Sequence, residues 1–498
     1  MSELDVVALL AQIADVGRDA RRGGYTRHVF DEHELWLRQW FTGQATQLGL
    51  SVQPDGNGNL WAWWGEPGPG AVLTGSHLDS VPGGGGYDGP LGVASALAAV
   101  SSLAAAGLVP SRPLAVVAFA EEEGARFGRA CLGSRLAAGQ ADPDAVRALR
   151  DQAGITFVAA ARHAGLDPND LGPVSWATEA ACFVELHVEQ GRALADLGQP
   201  LAIGTSVLAH GRWKAEFTGE GNHAGTTRMA GRRDPVVAAA RLILAARDLG
   251  LAADQQPSAP PVPDSDNSKR PPAGPVPPDA AADTDWPDAG SLETASSATV
   301  SMKAVRRDAT PRGAAQAGAA QAGAVPASAV PAEAAQADAV PAEAVPVGRM
   351  TVGRTEFTPG GTNVIASRAA VWLDIRAGRD AALGALAAEA AEAARLAADA
   401  EGCTVAVTEE SLSPLVEFDA GLRQRIAGLL PGAPMLPTGA GHDAGILAAL
   451  IPTAMLFVRN PTGVSHAPGE GASDEDCRAG ARALAAVLRD LLSAPAPR

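Results

Sequence analysis

Cysteine and aromatic residues are scarce in this chain. Only 4 cysteines occur among 498 residues, and aromatic side chains make up 4% of the sequence. The cysteines form no CxxC pair; they are Cys131, Cys182, Cys403 and Cys477. Because this spacing does not suggest a disulfide framework, we expect four structural thiols in a reduced, cytoplasmic protein.

Positive charge is scarce as well. The chain has 39 Lys and Arg against 56 Asp and Glu, for a formal net charge of −17. So acidic a chain is a poor partner for nucleic acid or an anionic membrane surface. No stretch approaches the run of about 20 apolar residues that a membrane-spanning helix needs. The acidic start, MSELD, lacks the apolar segment of a secretory signal. We therefore expect neither nucleic acid nor a membrane as a partner.

The order of apolar segments predicts two domains. Hydrophobic residues make up 46% of the chain, which is enough for a sizeable core. Strand-like and helical segments alternate in residues 1–208 and return in 412–498. This pattern predicts an α/β fold with a mostly parallel sheet and helices on both faces. Residues 209–411 include half-exposed strand patterns such as 213–218, and predict a smaller α+β domain with an antiparallel sheet.

The second predicted domain is interrupted by a segment of different composition. Residues 252–347 are rich in Pro, Ala, Asp and Ser, and the sequence AVPAEA occurs at 329–334 and again at 339–344. Such a segment cannot bury enough apolar surface to offset the entropy lost on ordering. We predict a disordered insertion, either a tolerated loop expansion or a docking segment.

Two amphipathic helices are predicted near the start of the chain. Residues 4–13 have helical spacing, with Ser2 as the capping side chain. Residues 31–48 form the second helix, in which Trp36, Trp40 and Phe41 are expected to anchor the core.

A glycine-rich stretch, residues 74–89, carries the first candidate ligands. It follows an apolar segment that predicts a strand, and a helical segment begins at Pro90. His77 and Asp79 therefore leave the carboxyl end of a strand, where α/β sheets place their ligand sites. The glycines allow the sharp turns that bring Asp88 back toward them.

Further candidates lie at other strand ends. The continuous apolar run 113–120 runs directly into three glutamates, 121–123, and histidines occur at a strand end and in a later loop. Asp88 could bridge two cations about 3.5–4 Å apart. The ligands would be His77 and His187 for the first cation, and Glu122 and His466 for the second. Nitrogen and oxygen ligands of this kind suit Zn²⁺ or Mn²⁺.

The remaining roles of a hydrolytic site can be assigned by residue type. Asp79 could bind the free ring nitrogen of His77 and fix its tautomer. Of two adjacent glutamates at a strand end, one could be a ligand and the other a general base for C–N bond hydrolysis. His223, from the second domain, could donate to a developing oxyanion, and Arg376 could pair with a substrate carboxylate.

Seven motifs together resemble the M20 metallopeptidase superfamily. Within it they are most similar to the amidase branch, which includes N-carbamoyl-L-amino-acid hydrolases, allantoate amidohydrolases and β-ureidopropionases. The motifs are GSHLDS at 75–80, YDGPLGV at 87–93, AEEEGARF at 120–127, ELHVEQG at 185–191, NHAGTT at 222–227, GAGHDA at 439–444 and GVSHAP at 463–468. They stand in the family's order and span most of the chain outside the insertion.

The resemblance implies a catalytic domain with two metal ions and a lid that also forms a homodimer interface. It implies Glu121 as general base and a five-residue ligand set: His77, Asp88, Glu122, His187 and His466. It implies that Gln190, His223, Asn363 and Arg376 contact the substrate, some of them across the dimer. Histidine at 187, where peptidase members usually carry a carboxylate, favours the amidase branch.

Several motifs favour allantoate as the substrate over N-carbamoyl amino acids. The sequences around His210, Arg228 and 457–466 resemble the allantoate amidohydrolase group. Allantoate carries a carboxylate for Arg376 and two ureido groups, and His210 could bind the second of them. The expected reaction is hydrolysis of a ureido C–N bond with release of ammonia and carbon dioxide. An N-carbamoyl-L-amino-acid hydrolase or β-ureidopropionase is the alternative, and an M20 aminoacylase or dipeptidase is a further one.

Overall fold

The computed structural model describes residues 3–255 and 348–493. The predicted insertion therefore lies outside the described residues, except for 252–255. Residues 252–254 belong to the end of a helix, and Gln255 caps that helix. No helix within the two described ranges is both long enough and apolar enough to cross a membrane.

The described residues form seventeen strands and thirteen α-helices, numbered here in chain order. The strands are β1 (Tyr25–Arg27), β2 (Ser51–Pro54), β3 (Leu60–Trp64), β4 (Val72–His77), β5 (Ser80–Gly84), β6 (Leu114–Phe119), β7 (Cys182–Val188), β8 (Leu201–Val207), β9 (Ala209–Thr218), β10 (Asn222–His223), β11 (Gly348–Thr358), β12 (Val364–Ile365), β13 (Arg368–Ala377), β14 (Thr404–Ser413), β15 (Val416–Glu417), β16 (Met435–Thr438) and β17 (Thr453–Val458). The helices are α1 (Val6–Gln12), α2 (Glu32–Gln47), α3 (Pro90–Ala105), α4 (Leu132–Ala137), α5 (Pro143–Ala148), α6 (Phe157–His163), α7 (Ser175–Thr178), α8 (Ala193–Asp196), α9 (Pro235–Asp254), α10 (Asp380–Ala400), α11 (Ala420–Leu429), α12 (Asp443–Leu447) and α13 (Asp474–Ser493).

The larger sheet has nine strands. Its order is β15-β8-β17-β7-β4-β6-β3-β2, with β16 alongside β8. The four central strands β17, β7, β4 and β6 are parallel neighbours, as predicted. Antiparallel pairs flank them: β3 runs antiparallel to β6, and β8 runs antiparallel to β17. The carboxyl ends of β4, β6 and β7 therefore meet at one edge of the sheet.

Alternate residues of the strands of this sheet, β3 among them, pack in two apolar cores, one on each face of the sheet. Leu60 and Ala62 of β3 pack in the core that includes α1, α2, α3, α11 and α13. Trp61 and Trp63 pack in the opposite core, against α12 and neighbouring short helices. Helices thus cover both faces, as the sequence predicts, which buries every residue of the parallel strands. Burying each Val, Leu or Phe side chain stabilises the fold by roughly 1.5–3 kcal/mol.

The second sheet has four antiparallel strands in the order β11-β13-β9-β14. Its inner face packs against α9 and α10 in a separate apolar core. Strand β9 alternates buried and more exposed positions, with Trp213, Ala215 and Phe217 facing the core. This alternation is what the sequence predicts for a sheet with one solvated face.

Candidate metal centre and active site

The glycine-rich stretch returns Asp88 to the carboxyl end of β4. His77 is the last residue of β4, β5 follows it, and Asp88 precedes α3. Gly89 has φ 83°, and a Cβ atom there would lie 2.5 Å from the His77 ring. A side chain at this position would therefore collide with the imidazole, so glycine is what allows Asp88 and His77 to approach each other.

His77 and His187 face the same carboxylate oxygen. They lie at corresponding ends of the parallel neighbours β4 and β7, and their rings are stacked with centroids 5.9 Å apart. His77 Nε2 is 3.4 Å and His187 Nε2 is 3.2 Å from Oδ1 of Asp88. All three side chains are buried. Two strand ends and one loop thus bring these three predicted ligand side chains together.

The ring nitrogens of both histidines are arranged to bind a cation. Nδ1 of His77 is 3.1 Å from the backbone oxygen of Asp79, and Nδ1 of His187 is 2.8 Å from that of Val188. Because a carbonyl oxygen can only accept, each Nδ1 carries a proton, which leaves Nε2 as the ring nitrogen available to a cation. Neither buried Nε2 has a hydrogen-bond partner among the described residues. Two buried ring nitrogens without a hydrogen-bond partner, both facing one carboxylate, fit a metal ion.

The other oxygen of Asp88 faces a second group. His466 Nε2 lies 3.4 Å from Asp88 Oδ2 and 3.3 Å from Oε2 of Glu123. The ligand atoms of this group lie within 4.8 Å of one another, as do those of the group formed by His77, Asp88 and His187. Asp88 thus turns one oxygen to each group, which is the geometry of a bridging carboxylate.

The glutamate triplet differs from the prediction by one position. The predicted pairing of Glu122 with His466 is not present, since Glu123 stands beside His466 instead. Glu121 is in the left-handed conformation, with φ 54°. Its Oε1 accepts hydrogen bonds from the backbone N–H groups of Arg126 and Phe127, at 3.0 and 2.6 Å. The chain therefore leaves strand geometry at Glu121, and the side chains that follow no longer alternate as strand neighbours.

Glu122 lies beside the first of these groups. Its Oε2 is 3.7 Å from Nε2 of His77, and its Oε1 is 3.4 Å from the thiol of Cys131, which donates to it. The side chain is 6% exposed. Unlike Glu121, it accepts no backbone hydrogen bond within the described part of the chain. Glu122 thus turns one oxygen toward His77 and the other toward the Cys131 thiol.

Asp79 contacts His77 differently from the prediction. The backbone oxygen of Asp79, rather than its carboxylate, is the atom closer to His77 Nδ1, since Oδ1 lies 3.7 Å away. The carboxylate accepts the backbone N–H groups of Glu122 and Glu123, at 3.2 and 3.1 Å. Asp79 therefore holds the glutamate turn against the end of β4.

Burial and mutual repulsion shape the charges of this cluster. Burial, followed by the charge of Asp79, raises the pKa of Glu121 to about 8. Burial, followed by the charge of Asp88, raises the pKa of Glu123 to about 7. Hydrogen bonding to Asp88, together with the charge of Glu123, raises the pKa of His466 to about 9. Bound cations would supply the positive charge that these crowded carboxylates lack, so the electrostatics also fit metal binding.

The structure contains a third group of possible ligands that is not predicted from the sequence: Glu185, His187 and His442. The rings of His187 and His442 have centroids 4.5 Å apart. However, Glu185 accepts the Ser76 hydroxyl at 2.8 Å and the Ala444 N–H at 3.0 Å. Its oxygens are thus occupied by structural hydrogen bonds. The period-two spacing of Glu185 and His187 on β7 was the available signal.

The predicted substrate-binding residues fall into three places. Gln190 donates to Asp88 Oδ2 at 2.9 Å, beside the candidate metal centre. His210 and Arg376 are register partners across β9 and β13. The Arg376 guanidinium binds the Asp374 carboxylate at 2.7 Å and also donates to the backbone oxygen of Gly439.

His223 and Asn363 lie together at the third place. Through β10 and β12, Asn222 pairs with Ile365 and His223 with Val364, and the Asn363 backbone oxygen accepts the N–H of Ala224. Both side chains are exposed. Nδ1 of His223 accepts the N–H groups of Gly225 and Thr226 at 3.2 Å, so the proton of the neutral ring is on Nε2. His223 can therefore donate a hydrogen bond outward.

Comparison with known proteins places the site in a family context. The family described as Peptidase family M20/M25/M40 matches residues 73–490. An N-carbamoyl-L-amino acid amidohydrolase of Geobacillus stearothermophilus is 31% identical over 95% of each chain. An allantoate amidohydrolase of Escherichia coli is 38% identical over 44% of this chain and 54% of its own length. The solved hydantoinase/carbamoylase family amidase of Burkholderia ambifaria has 26% identity and a TM-score of 0.70, over 99% of this chain and 98% of its own.

Proposed function

The chain belongs to the Peptidase family M20/M25/M40, and on that premise we propose that it is a two-metal amidohydrolase acting on allantoate. One observation carries the reaction class. The two oxygens of Asp88 face separate groups, with His77 and His187 on one side and His466 on the other.

The ligand set that this geometry supports differs from the predicted one at a single position. Asp88 would bridge, His77 and His187 would complete the first cation site, and Glu123 with His466 would complete the second. The donor set of nitrogen and carboxylate oxygen atoms suits Zn²⁺ or Mn²⁺. When bound, such ions polarise the substrate carbonyl and make water a stronger acid.

Glu122 is our candidate for the general base, in place of Glu121. Its distance of 3.7 Å from His77 Nε2 supports this role, whereas the contacts of Glu121 hold a backbone turn. A carboxylate here can take a proton from the attacking water and pass it to the departing amine. The Cys131 thiol fixes the orientation of the Glu122 side chain through Oε1.

The substrate would be recognised through its carboxylate and its ureido groups. Arg376 suits a carboxylate because its guanidinium can donate two parallel hydrogen bonds. A substrate carboxylate would replace the present contact of Arg376 with Asp374. His210, its partner across the strands, is in place for a second ureido group, and Gln190 lies beside the bridging carboxylate. This paired arrangement favours allantoate over a substrate with a single ureido group.

His223 and Asn363 would act after a movement of the second domain or from a partner subunit. Both are exposed, and His223 has its ring proton on the outward nitrogen, as an oxyanion donor requires. We also propose that the chain forms a homodimer through a lid domain and that it is cytoplasmic. The proposed domain division is 1–208, 209–411 and 412–498.

A second candidate is hydrolysis of N-carbamoyl-L-amino acids. It is supported by the Geobacillus stearothermophilus relative, which matches 95% of the chain. Such substrates also carry a carboxylate for Arg376 and one ureido group for the metal centre, but they leave His210 without a role.

The discriminating experiment measures ammonia release from allantoate and from a panel of N-carbamoyl-L-amino acids, with the purified protein loaded with Zn²⁺ or Mn²⁺. We expect the higher kcat/KM for allantoate. Fast turnover of carbamoyl amino acids without turnover of allantoate would contradict the proposed substrate. Peptide cleavage without any hydrolysis of ureido acids would contradict the proposed reaction class.

A further inference from the structure

Glu470 is a buried carboxylate far along the chain that contacts the loop carrying Asp88. Its Oε1 accepts the backbone N–H of Tyr87 at 2.8 Å and that of Asp88 at 2.9 Å, across sequence separations of 383 and 382 residues. The side chain is 8% exposed. One oxygen atom therefore fixes the two consecutive peptide groups that lead into the candidate bridging residue.

Gly85 provides the space that this contact needs. A Cβ atom at Gly85 would lie 2.2 Å from the Glu470 carboxylate carbon. Gly83 and Gly84 end β5 just before Gly85, and Gly86 follows it. Ordering such a backbone costs conformational entropy, and glycine loses the most freedom. The hydrogen bonds from Glu470 offset part of this cost where the loop meets the metal centre.

The same carboxylate also belongs to the loop that carries His466. The backbone N–H of Glu470 donates to the Ala467 oxygen at 3.1 Å, closing a turn directly after His466. From the other side of His466, the Ser465 hydroxyl donates to Asp88 Oδ2 at 3.4 Å. The two loops that bring Asp88 and His466 together are thus joined on both sides of their contact.

We propose that Glu470 is a positioning residue for the metal centre: it holds Asp88 and the His466 loop in register so that both cations are bound. This inference rests on the proposed two-metal site. Glu470 acts through backbone N–H groups, so its role requires an acceptor oxygen and space at Gly85 rather than a negative charge at the metals.

The test compares four variants of the full chain with the unchanged protein. Glu470→Ala removes the acceptor, Glu470→Gln keeps an acceptor oxygen, and Gly85→Ala forces the carboxylate away. Glu475→Ala is the matched control, because Glu475 is an exposed carboxylate on α13. Metal affinity is measured by competition of Zn²⁺ with a chromogenic chelator, and bound metal is counted by mass spectrometry. Hydrogen exchange reports on residues 83–88.

We expect Glu470→Ala and Gly85→Ala to bind the more weakly held of the two cations about 10–100-fold less tightly, as is common when a residue supporting a metal ligand is lost. Hydrogen exchange at 83–88 should accelerate in both. Glu470→Gln and Glu475→Ala should match the unchanged protein in both measurements.

Unchanged metal affinity in Glu470→Ala and Gly85→Ala would overturn the inference. Equal loss in Glu470→Gln and Glu470→Ala would overturn it as well, because it would indicate a need for charge. If Glu470→Ala does not fold, Gly85→Ala and Glu470→Gln decide the outcome. The proposed function fails separately, if the unchanged protein binds two cations but hydrolyses no ureido acid.

Discussion

His187 Nε2 lies 3.2 Å from Asp88 Oδ1, while its other ring nitrogen is 2.8 Å from the Val188 backbone oxygen. The backbone contact keeps a proton on Nδ1, so Nε2 is the nitrogen that faces the carboxylate and can bind a cation. His77 is held in the same way by the backbone oxygen of Asp79. Strand ends therefore prepare both rings for a cation before any ion is bound.

Asp88→Asn should abolish tight binding of both cations. An amide offers one neutral oxygen and cannot bridge two ions as a carboxylate does. We expect bound metal, counted by mass spectrometry, to fall below one ion per chain, and activity to fall at least ~100-fold. Asp474→Asn, at an exposed carboxylate in the first turn of α13, should keep full metal content. Retention of two ions by Asp88→Asn would contradict the bridging role.

Replacing each of the three adjacent glutamates by Gln should give three different combinations of metal content and activity. Glu122→Gln should lower kcat by about 10²–10⁴ while metal content stays intact, as expected for a general base. Glu123→Gln should lose metal. Glu121→Gln keeps the acceptor oxygen for the turn N–H groups, so it should retain most of its activity. Metal counts and kcat for the three variants provide the measurement, and an inactive, metal-replete Glu121→Gln would restore Glu121 as the base.

The strand pair that carries His210 and Arg376 should control substrate choice. Arg376→Lys loses the paired hydrogen bonds to a carboxylate, worth about 1.5–3 kcal/mol, so kcat/KM should fall roughly 10–150-fold for every ureido acid. His210→Ala should lower kcat/KM for allantoate and leave N-carbamoyl amino acids nearly unaffected. A uniform loss across both substrate classes would assign His210 to general support of the site.

Asp19 should make the N-terminal loop sensitive to acid. The backbone N–H of Arg22 and then the Thr26 hydroxyl hold its pKa down, to about 2 from the ordinary 3.8. Because the folded-state pKa is depressed, this contribution to stability is complete above about pH 4 and is lost as the pH falls toward 2. Hydrogen exchange of residues 19–27 in metal-free protein should accelerate over that range. Asp19→Asn should remove this pH dependence, and Asp15→Asn, at an exposed site, should preserve it.

The sequence predicts the sheets well because their signals are local. The apolar run 113–120 becomes β6, and the alternation in 213–218 becomes part of β9. Local signals are less informative about what covers a helix. Trp40 and Phe41 of α2 are buried as predicted, but Trp36 is 44% exposed. The cap of α1 is Asp5, which accepts the N–H groups of Val7 and Ala8, and the predicted cap Ser2 lies outside the described residues.

The candidate site shows where sequence patterns stop being informative. Residue types and their order predict that His77, Asp88, His187 and His466 lie close together. The pattern of three identical glutamates cannot reveal that the backbone turns at Glu121, and this turn moves the contact with His466 to Glu123. Glu470 could not be inferred either, because its partners are backbone N–H groups 382 and 383 residues away.

The order of the strands also affects when the site can be completed during synthesis. His77, Asp88 and His187 all belong to the first 187 residues, whereas His466 comes near the end of the chain. The strand β17, which precedes the His466 loop, joins the sheet beside β7. A nascent chain therefore carries one set of candidate ligands long before the other, and a cation captured early would meet Asp88 before His466 has been synthesised.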